Sequence, residues 1–252
     1  MSIAVQSKLN RLLQNGVYGG LYFSAWLGDE GYSPQLVKRY RESGWLEALA
    51  PGVSYRAGEK LSALAAVSSY DNQLSKNLRV AAHSALELFG FNHYVPMGKP
   101  VLMVTGDSVP SWMSSDKFDM TISSFKTDVF GYTPSMNMRR GELDVMASSP
   151  ELAFMECLHL APKRYSYVDL YLIMEQLTAL DPDGVQRVLE NTKSQKVKRM
   201  FMYMAEKAGH YWFDMLNTDA VGLTTSKLQL VKGGTFVKKY NITVPKELYD
   251  YE

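Results

Sequence analysis

YSPQLVKRYRESGWLEALAPGVSYR, residues 32–56, decides how the first part of this chain folds. Ser33 can cap a helix with its hydroxyl, and Pro34 suits the first helical position, where its missing N–H costs nothing. Leu36, Val37 and Tyr40 then form an apolar stripe, while Gln35, Lys38, Arg39, Arg41 and Glu42 lie elsewhere on the surface, and Gly44 ends the helix. Beyond it, Trp45–Leu49 and Val53–Arg56 flank Ala50-Pro51-Gly52, the signature of a hairpin.

Reading backwards, Ile3, Val5, Leu9, Leu12 and Leu13 sit near helical spacing, and Gln14-Asn15-Gly16 supplies the stop. Phe23 to Leu27 makes a short second helix that ends at Gly28. Three helices followed by a hairpin predict a winged helix-turn-helix over residues 1–60. In such a unit the third helix presents polar and cationic groups to base edges and phosphates, and the wing reaches the neighbouring backbone. Gln35, Lys38 and Arg39 have that chemistry on the first half of the helix, an amide for adenine and cations for guanine or phosphate. Arg41 and the wing residue Arg56 suit phosphate. A structural three-helix unit with a solvated basic helix, or a protein-binding winged helix, fits the same pattern.

Residues 61–252 read as a second domain of mixed helices and strands, so the chain as a whole is α+β. Leu61, Leu64, Ala65 and Val67 continue as a helix, and Val80–Gly90 is an extended entry into another. Strands are predicted at Val101–Val104, Met120–Ser123 and Glu142–Val145. Helices follow at Ser149–His159, Tyr167–Leu180, Pro182–Glu190 behind Asp181 as cap, and Ser194–Ala208. The last carries an apolar stripe of Val197, Met200, Phe201, Met204 and Ala205. Lys193, Lys196, Lys198, Arg199 and Lys207 fall mostly off that stripe, which reads as an exposed basic face for a polyanion or an acidic protein. At the end, Lys227–Val231 and Phe236–Val237 flank Gly233-Gly234 as a hairpin, and Tyr240–Val244 is a final strand stopped by Pro245.

Composition narrows the class. The 252 residues are 46% apolar and 21% charged, ordinary globular usage that excludes a disordered chain. A single cysteine, Cys157, excludes an internal disulfide framework. No apolar run approaches the ~20 residues of a membrane span, and the start lacks a secretory signal, so a cytoplasmic setting is expected. The net charge of +1 conceals a split: residues 1–60 carry +2, 61–184 carry −5, 185–240 carry +6 and the last twelve −2.

Catalytic signals are sparse. His83 and His93 are too far apart in sequence to share a helix face, and Cys157 sits among Leu152, Phe154, Met155 and Leu158 as a core residue would. Glu142-x-Asp144 resembles half of a two-carboxylate nuclease metal site, without the closely following lysine such sites show. Trp112, Phe118, Phe125, Phe130 and Tyr132 could line a sensor pocket for a small molecule, or simply fill a core. No nucleophile elbow, phosphate-binding glycine loop or His-Glu-x-x-His motif is present. No metal, cofactor or catalytic residue is assigned.

Taken together, Ser43–Leu46, Tyr55-Arg56-Ala57-Gly58, the stretch Ala85 to Tyr94, Ser149-Pro150-Glu151, Lys196-Val197-Lys198-Arg199 and Gly233-Gly234 with Lys239–Pro245 resemble the AbiEi-type antitoxins of bacterial type IV toxin–antitoxin systems. The resemblance covers nearly the whole chain. It implies a non-enzymatic protein that binds inverted repeats in double-stranded promoter DNA of its own operon and represses it. It also implies opposition to a nucleotidyltransferase toxin without a stable complex. Carried onto this sequence, it gives Gln35, Lys38 and Arg39 as groove contacts and Arg56 as a wing contact. Lys193, Lys196, Lys198 and Arg199 become a basic motif for DNA phosphate or for the toxin's RNA substrate.

Overall fold

The computed structural model describes residues 3–91 and 98–251, with backbone alone for residues 3–7. Ile3 and Val5 therefore lie outside the described side chains, and His93 and Tyr94 outside the described residues. In chain order the elements are α1 (Ile3–Asn15), β1 (Tyr22–Phe23), α2 (Ser24–Asp29), α3 (Pro34–Glu42), β2 (Leu46–Ala50), β3 (Val53–Arg56), α4 (Ala63–Leu74), β4 (Arg79–Val80), α5 (Ala82–Leu88) and β5 (Val101–Thr105). They continue with β6 (Thr121–Ser124), β7 (Ser135–Arg140), β8 (Leu143–Ser148), α6 (Pro150–Leu160), α7 (Tyr167–Gln176), α8 (Pro182–Glu190), α9 (Gln195–Ala208), β9 (Leu228–Gln229), β10 (Thr235–Val237), β11 (Ile242–Val244) and α10 (Lys246–Asp250). Two compact units result: one of Met1–Val80, Pro96–Lys126 and Asn137–Ala147, the other of Ala81–Val95, Thr127–Met136 and Ser148–Glu252.

The first unit opens with a winged helix. Leu9, Leu12, Tyr22, Leu27, Tyr32, Val37, Tyr40 and Leu46 form one buried cluster, so all three helices and the first wing strand share a core. The wing is the expected antiparallel pair, with Leu46 opposite Arg56, Glu47 opposite Tyr55 and a register shift between Ala48 and Ala50. A third strand, β1, completes the sheet by pairing Tyr22 with Ser54 and Phe23 with Val53. It takes Phe23 out of the second helix, which begins at Ser24 instead. Two residues are too few to show alternation, so this strand has no pattern in the sequence.

Behind the winged helix, a five-stranded sheet runs in the order β6-β5-β4-β8-β7. Strand β4 is antiparallel to β5 and parallel to β8, and β5 is parallel to β6. Three of these strands are the predicted ones. Strand β7 is not, because in Ser-Met-Asn-Met-Arg-Arg only Met136 and Met138 alternate with polar residues, and nearly all six residues are exposed. Helix α4 packs on the sheet, where Ser68 Oγ and Asn72 Nδ2 both donate to the Asp144 carbonyl, at 2.7 and 3.1 Å. Phe23, Tyr70, Trp112 and Phe118 form a chain of ring contacts with centroids 5.4–5.9 Å apart.

In the second unit, α5 packs on the buried helix α6. Fully buried Glu156 accepts from the Ala82 amide at 2.9 Å and from Ser148 Oγ at 3.1 Å. Helix α7 stops at Gln176, short of the predicted Leu180. Its final carbonyls are taken by distant side chains: His210 Nε2 donates to Met174 O at 2.7 Å and Trp212 Nε1 to Leu177 O at 2.9 Å. The C-terminal strands also correct the sequence reading. Gly233-Gly234 does not join a hairpin of β9 and β10; instead β9 pairs parallel with β11, and β10 pairs antiparallel with β11 across the turn Lys238–Asn241. The glycine pair serves a close approach, since a Cβ on Gly234 would stand 2.1 Å from the Val244 carbonyl oxygen.

A comparable contact in the winged helix yields a test. A Cβ on Gly16 would meet the Tyr22 hydroxyl at 1.8 Å. Gly16→Ala should cost about 1–3 kcal/mol in urea unfolding, and adding Tyr22→Phe, which deletes that oxygen, should recover part of the loss. Equal destabilisation with and without the hydroxyl would exclude this contact as the cause.

Candidate nucleic-acid interface

Helix α3 is built as a presenting element. Ser33 Oγ accepts from the Leu36 amide at 3.3 Å with Pro34 in the first turn, and Gly44 closes the far end at φ +75°. Val37 and Tyr40 are buried. At about 100° per residue, Gln35, Lys38, Arg39 and Glu42 fall on the face opposite that pair, and all four are exposed, as is Arg41. Lys38 Nζ lies 3.7 Å from Glu42 Oε1, with side chains 72% and 64% exposed. Such a pair is weak, about 0.3–0.5 kcal/mol, so phosphate can compete for the lysine.

Arg56 stands at the base of the wing, not at its tip, because its partner across the ladder is Leu46. Its Nη1 is 3.3 Å from Glu59 Oε1, while Glu59 Oε2 accepts the Gly19 amide at 2.9 Å. The tip itself, Pro51-Gly52, carries no charge. The sequence reading thus places five polar or basic residues on one small winged helix, with four of them on α3.

The basic motif of α9 is placed differently from expectation. Lys193 is exposed and 3.9 Å from Asp128. Lys196 Nζ donates to His159 O at 2.7 Å and Ala161 O at 2.6 Å. Lys198 is buried and donates to Val221 O at 2.6 Å. Arg199 is 0% exposed. Its guanidinium donates to Ser226 O at 2.7 Å, Asn241 O at 3.0 Å, Thr224 O at 2.6 Å, the Thr224 hydroxyl and Gln195 Oε1. Lys198 and Arg199 are therefore not surface cations, and an exposed basic face along α9 is corrected. The reason is that Val197–Ala205 is buried on every side, so positions off the apolar stripe face protein instead of water. Burial lowers the pKa of Lys196, Lys198 and Arg199 from their usual values. The signal was present in Met-Phe-Met-Tyr-Met-Ala at 200–205, six residues without a charged position, which marks a helix buried all round.

The other candidates do not assemble a reactive centre. Glu142 lies in the turn before β8 and Asp144 on the strand, both exposed. Among the described residues no group of three His, Cys, Asp or Glu side chains is placed to hold a metal. Cys157 is fully buried, and burial, reinforced by Glu156, pushes its thiol well above the usual range, away from nucleophilic thiolate. His83 Nδ1 is 2.7 Å from the Tyr165 hydroxyl. The aromatic residues are divided between the cores of the two units. Trp112 and Phe118 belong to the ring cluster of the first, whereas in the second Phe130 packs on His159 and Tyr132 lies under the Arg187 guanidinium. Phe125 is half-buried. Among the described residues no helix is long and apolar enough to cross a membrane.

Comparison with known proteins adds three findings. The family model for a transcriptional regulator, AbiEi antitoxin of a type IV toxin–antitoxin system, matches residues 99–245, and the model for the N-terminal domain of such AbiEi regulators matches residues 5–97. No curated protein matches the chain. The crystal structure of the RV2827C protein from Mycobacterium tuberculosis shares the fold, with a TM-score of 0.65 at 12% identity over 96% of this chain and 92% of that one.

The burial of Arg199 sets a clear expectation. Arg199→Met strands several carbonyls and should cost roughly 2–4 kcal/mol in urea unfolding, whereas Lys193→Ala on the surface should stay within about 0.5 kcal/mol of the parent. Equal stability of the two variants would contradict the placement of Arg199.

Proposed function

The chain belongs to the AbiEi family of antitoxins and transcriptional regulators of type IV toxin–antitoxin systems, and on that premise we propose that it is the DNA-binding autorepressor of such an operon. Residues 1–60 are the DNA-binding part and residues 61–252 the antitoxin part. Helix α3 enters the major groove of promoter DNA, at inverted repeats. Gln35, Lys38 and Arg39 contact base edges, and Arg41 and Arg56 contact phosphate. The supporting observation is the rotation of α3, which buries Val37 and Tyr40 and leaves Gln35, Lys38 and Arg39 together in solvent.

The protein acts by binding, not by catalysis, in the cytoplasm. It opposes a nucleotidyltransferase toxin without a stable complex. Of the α9 motif, Lys193 keeps an exposed ammonium for DNA, RNA or a partner, while Lys198 and Arg199 support the domain from within.

Fluorescence anisotropy on the DNA upstream of the gene and on a scrambled duplex, across a salt series, tests this reading. Preference for the upstream duplex should be about a thousandfold or more, and log affinity should fall against log salt by about 0.9 per phosphate contacted. Lys38→Ala or Arg39→Ala should lose about 1–3 kcal/mol on the upstream site if it reads a base. Equal, weak binding to both duplexes would sink the repressor, and unchanged affinity in both variants would sink the groove assignment.

A further inference from the structure

Tyr55 links the wing to a part of the chain far from it in sequence. It sits on β3, opposite Glu47 on β2, and is buried. Its hydroxyl donates to Glu47 Oε2 and accepts from Lys117 Nζ at 3.0 Å. The Lys117 ammonium also lies 5.2 Å from the centroid of the Tyr55 ring. The cation thus meets the wing at the phenol oxygen, out past the hydroxyl rather than over the ring.

The segment that carries Lys117 is firmly anchored. Phe118 is buried, in ring contact with Trp112, and bridges to Leu61. The Asp119 amide donates to Leu61 O at 3.0 Å, and Asp119 Oδ1 accepts from the Ala63 amide, at the start of α4, at 2.7 Å. A cavity of about 350 Å³ lies beside this junction, lined by Tyr55, Glu59, Lys60, Leu61, Phe118 and Asp119 as well as Lys117 itself. The wing needs such a support, because β1 pairs only with Val53 and Ser54, and the rest is a two-stranded ribbon, marginal on its own.

We propose that Lys117 is a positioning residue for DNA recognition, bracing the wing through Tyr55 and offsetting the negative charge of Glu47. The inference rests on the DNA-binding reading above and extends it. Glu47 is the single carboxylate within residues 46–56 and would be repelled by phosphate. Lys117 places a positive charge next to it without itself being part of the winged helix. The Tyr55 hydrogen bond, followed by Glu47 and Asp116, raises the pKa of that ammonium, in keeping with a cation held by its surroundings.

The full-length Lys117→Met, Lys117→Arg and Tyr55→Phe proteins test the brace by two independent readouts. Hydrogen exchange of wing amides in DNA-free protein should quicken in Lys117→Met and Tyr55→Phe by about tenfold, with α3 unaffected, and should return towards the parent rate in Lys117→Arg. Affinity for the upstream duplex should fall about three- to tenfold in Lys117→Met, and the double variant with Tyr55→Phe should be no worse than either alone. The salt slope should change by far less than the ~0.9 of a phosphate contact, because the ammonium engages a phenol rather than a phosphate. Parent-like wing exchange in Lys117→Met overturns the brace. A slope reduced by about 0.9 also overturns it, because Lys117 would then be a direct phosphate contact. If the wing loosens while the parent protein shows no preference for the upstream duplex, the brace is supported and the repressor reading is what fails.

Discussion

Burial of Val37 and Tyr40 against the leucines of α1, α2 and β2 is the constraint on which the exposed face of α3 depends. A helix of nine residues has one rotational freedom once its axis is set, and two large side chains in one core remove it. Everything else on α3 follows by periodicity. Gln35, Lys38 and Arg39 face water because the opposite face is committed, and the Lys38–Glu42 pair is a consequence of helical spacing more than a stabilising feature. The core also ties α3 to the wing, since Leu46 belongs both to the cluster and to the first residue of β2. Helix α3 and the start of the first wing strand are thus placed by the same apolar contacts.

The second unit solves a different problem, burying two cations whose partners among the described residues are carbonyl, hydroxyl and amide oxygens. Lys198 and Arg199 spend their donors on backbone carbonyls of the irregular stretch between α9 and β11. Isolated charges cost several kcal/mol to desolvate, and multiple short carbonyl contacts are one of the few ways to offset that. The gain is order in a segment with little regular structure of its own. The stretch from Val221 to Ser226, before β9, offers carbonyl groups outside helix and sheet, and a planar guanidinium with five N–H groups can gather several of them at once.

The sequence was a good guide where local chemistry sets the element. Ser33 and Asp181 each cap the helix they were expected to cap, and the Pro51-Gly52 hairpin stands as read. It was a poor guide where partners are remote. Strand β1 exists only because β3 is there to receive it, β7 shows only a Met-x-Met alternation and is nearly all exposed, and β9 finds β11 past an intervening strand. The site divides in the same way. Exposure of the α3 cations follows from helical period, but whether a lysine of α9 meets water or a carbonyl depends on remote chain, His159 and Ala161 for Lys196 and Val221 for Lys198. Lys117 gave no signal, since its role comes from a tyrosine sixty-two residues earlier in the chain.

The first compact unit is assembled from three separate stretches of the polypeptide, and this bears on how such a chain could be inherited and rearranged. The matched sequence families meet near residue 98, yet β4 before that point is hydrogen-bonded to β5 and β8 after it. A genetic crossover there would leave each half with strands shaped for the other's lineage. The two halves are therefore bound to change together, and a new surface is acquired more cheaply through substitutions at exposed positions such as those of α3 than through wholesale shuffling of the amino-terminal segment.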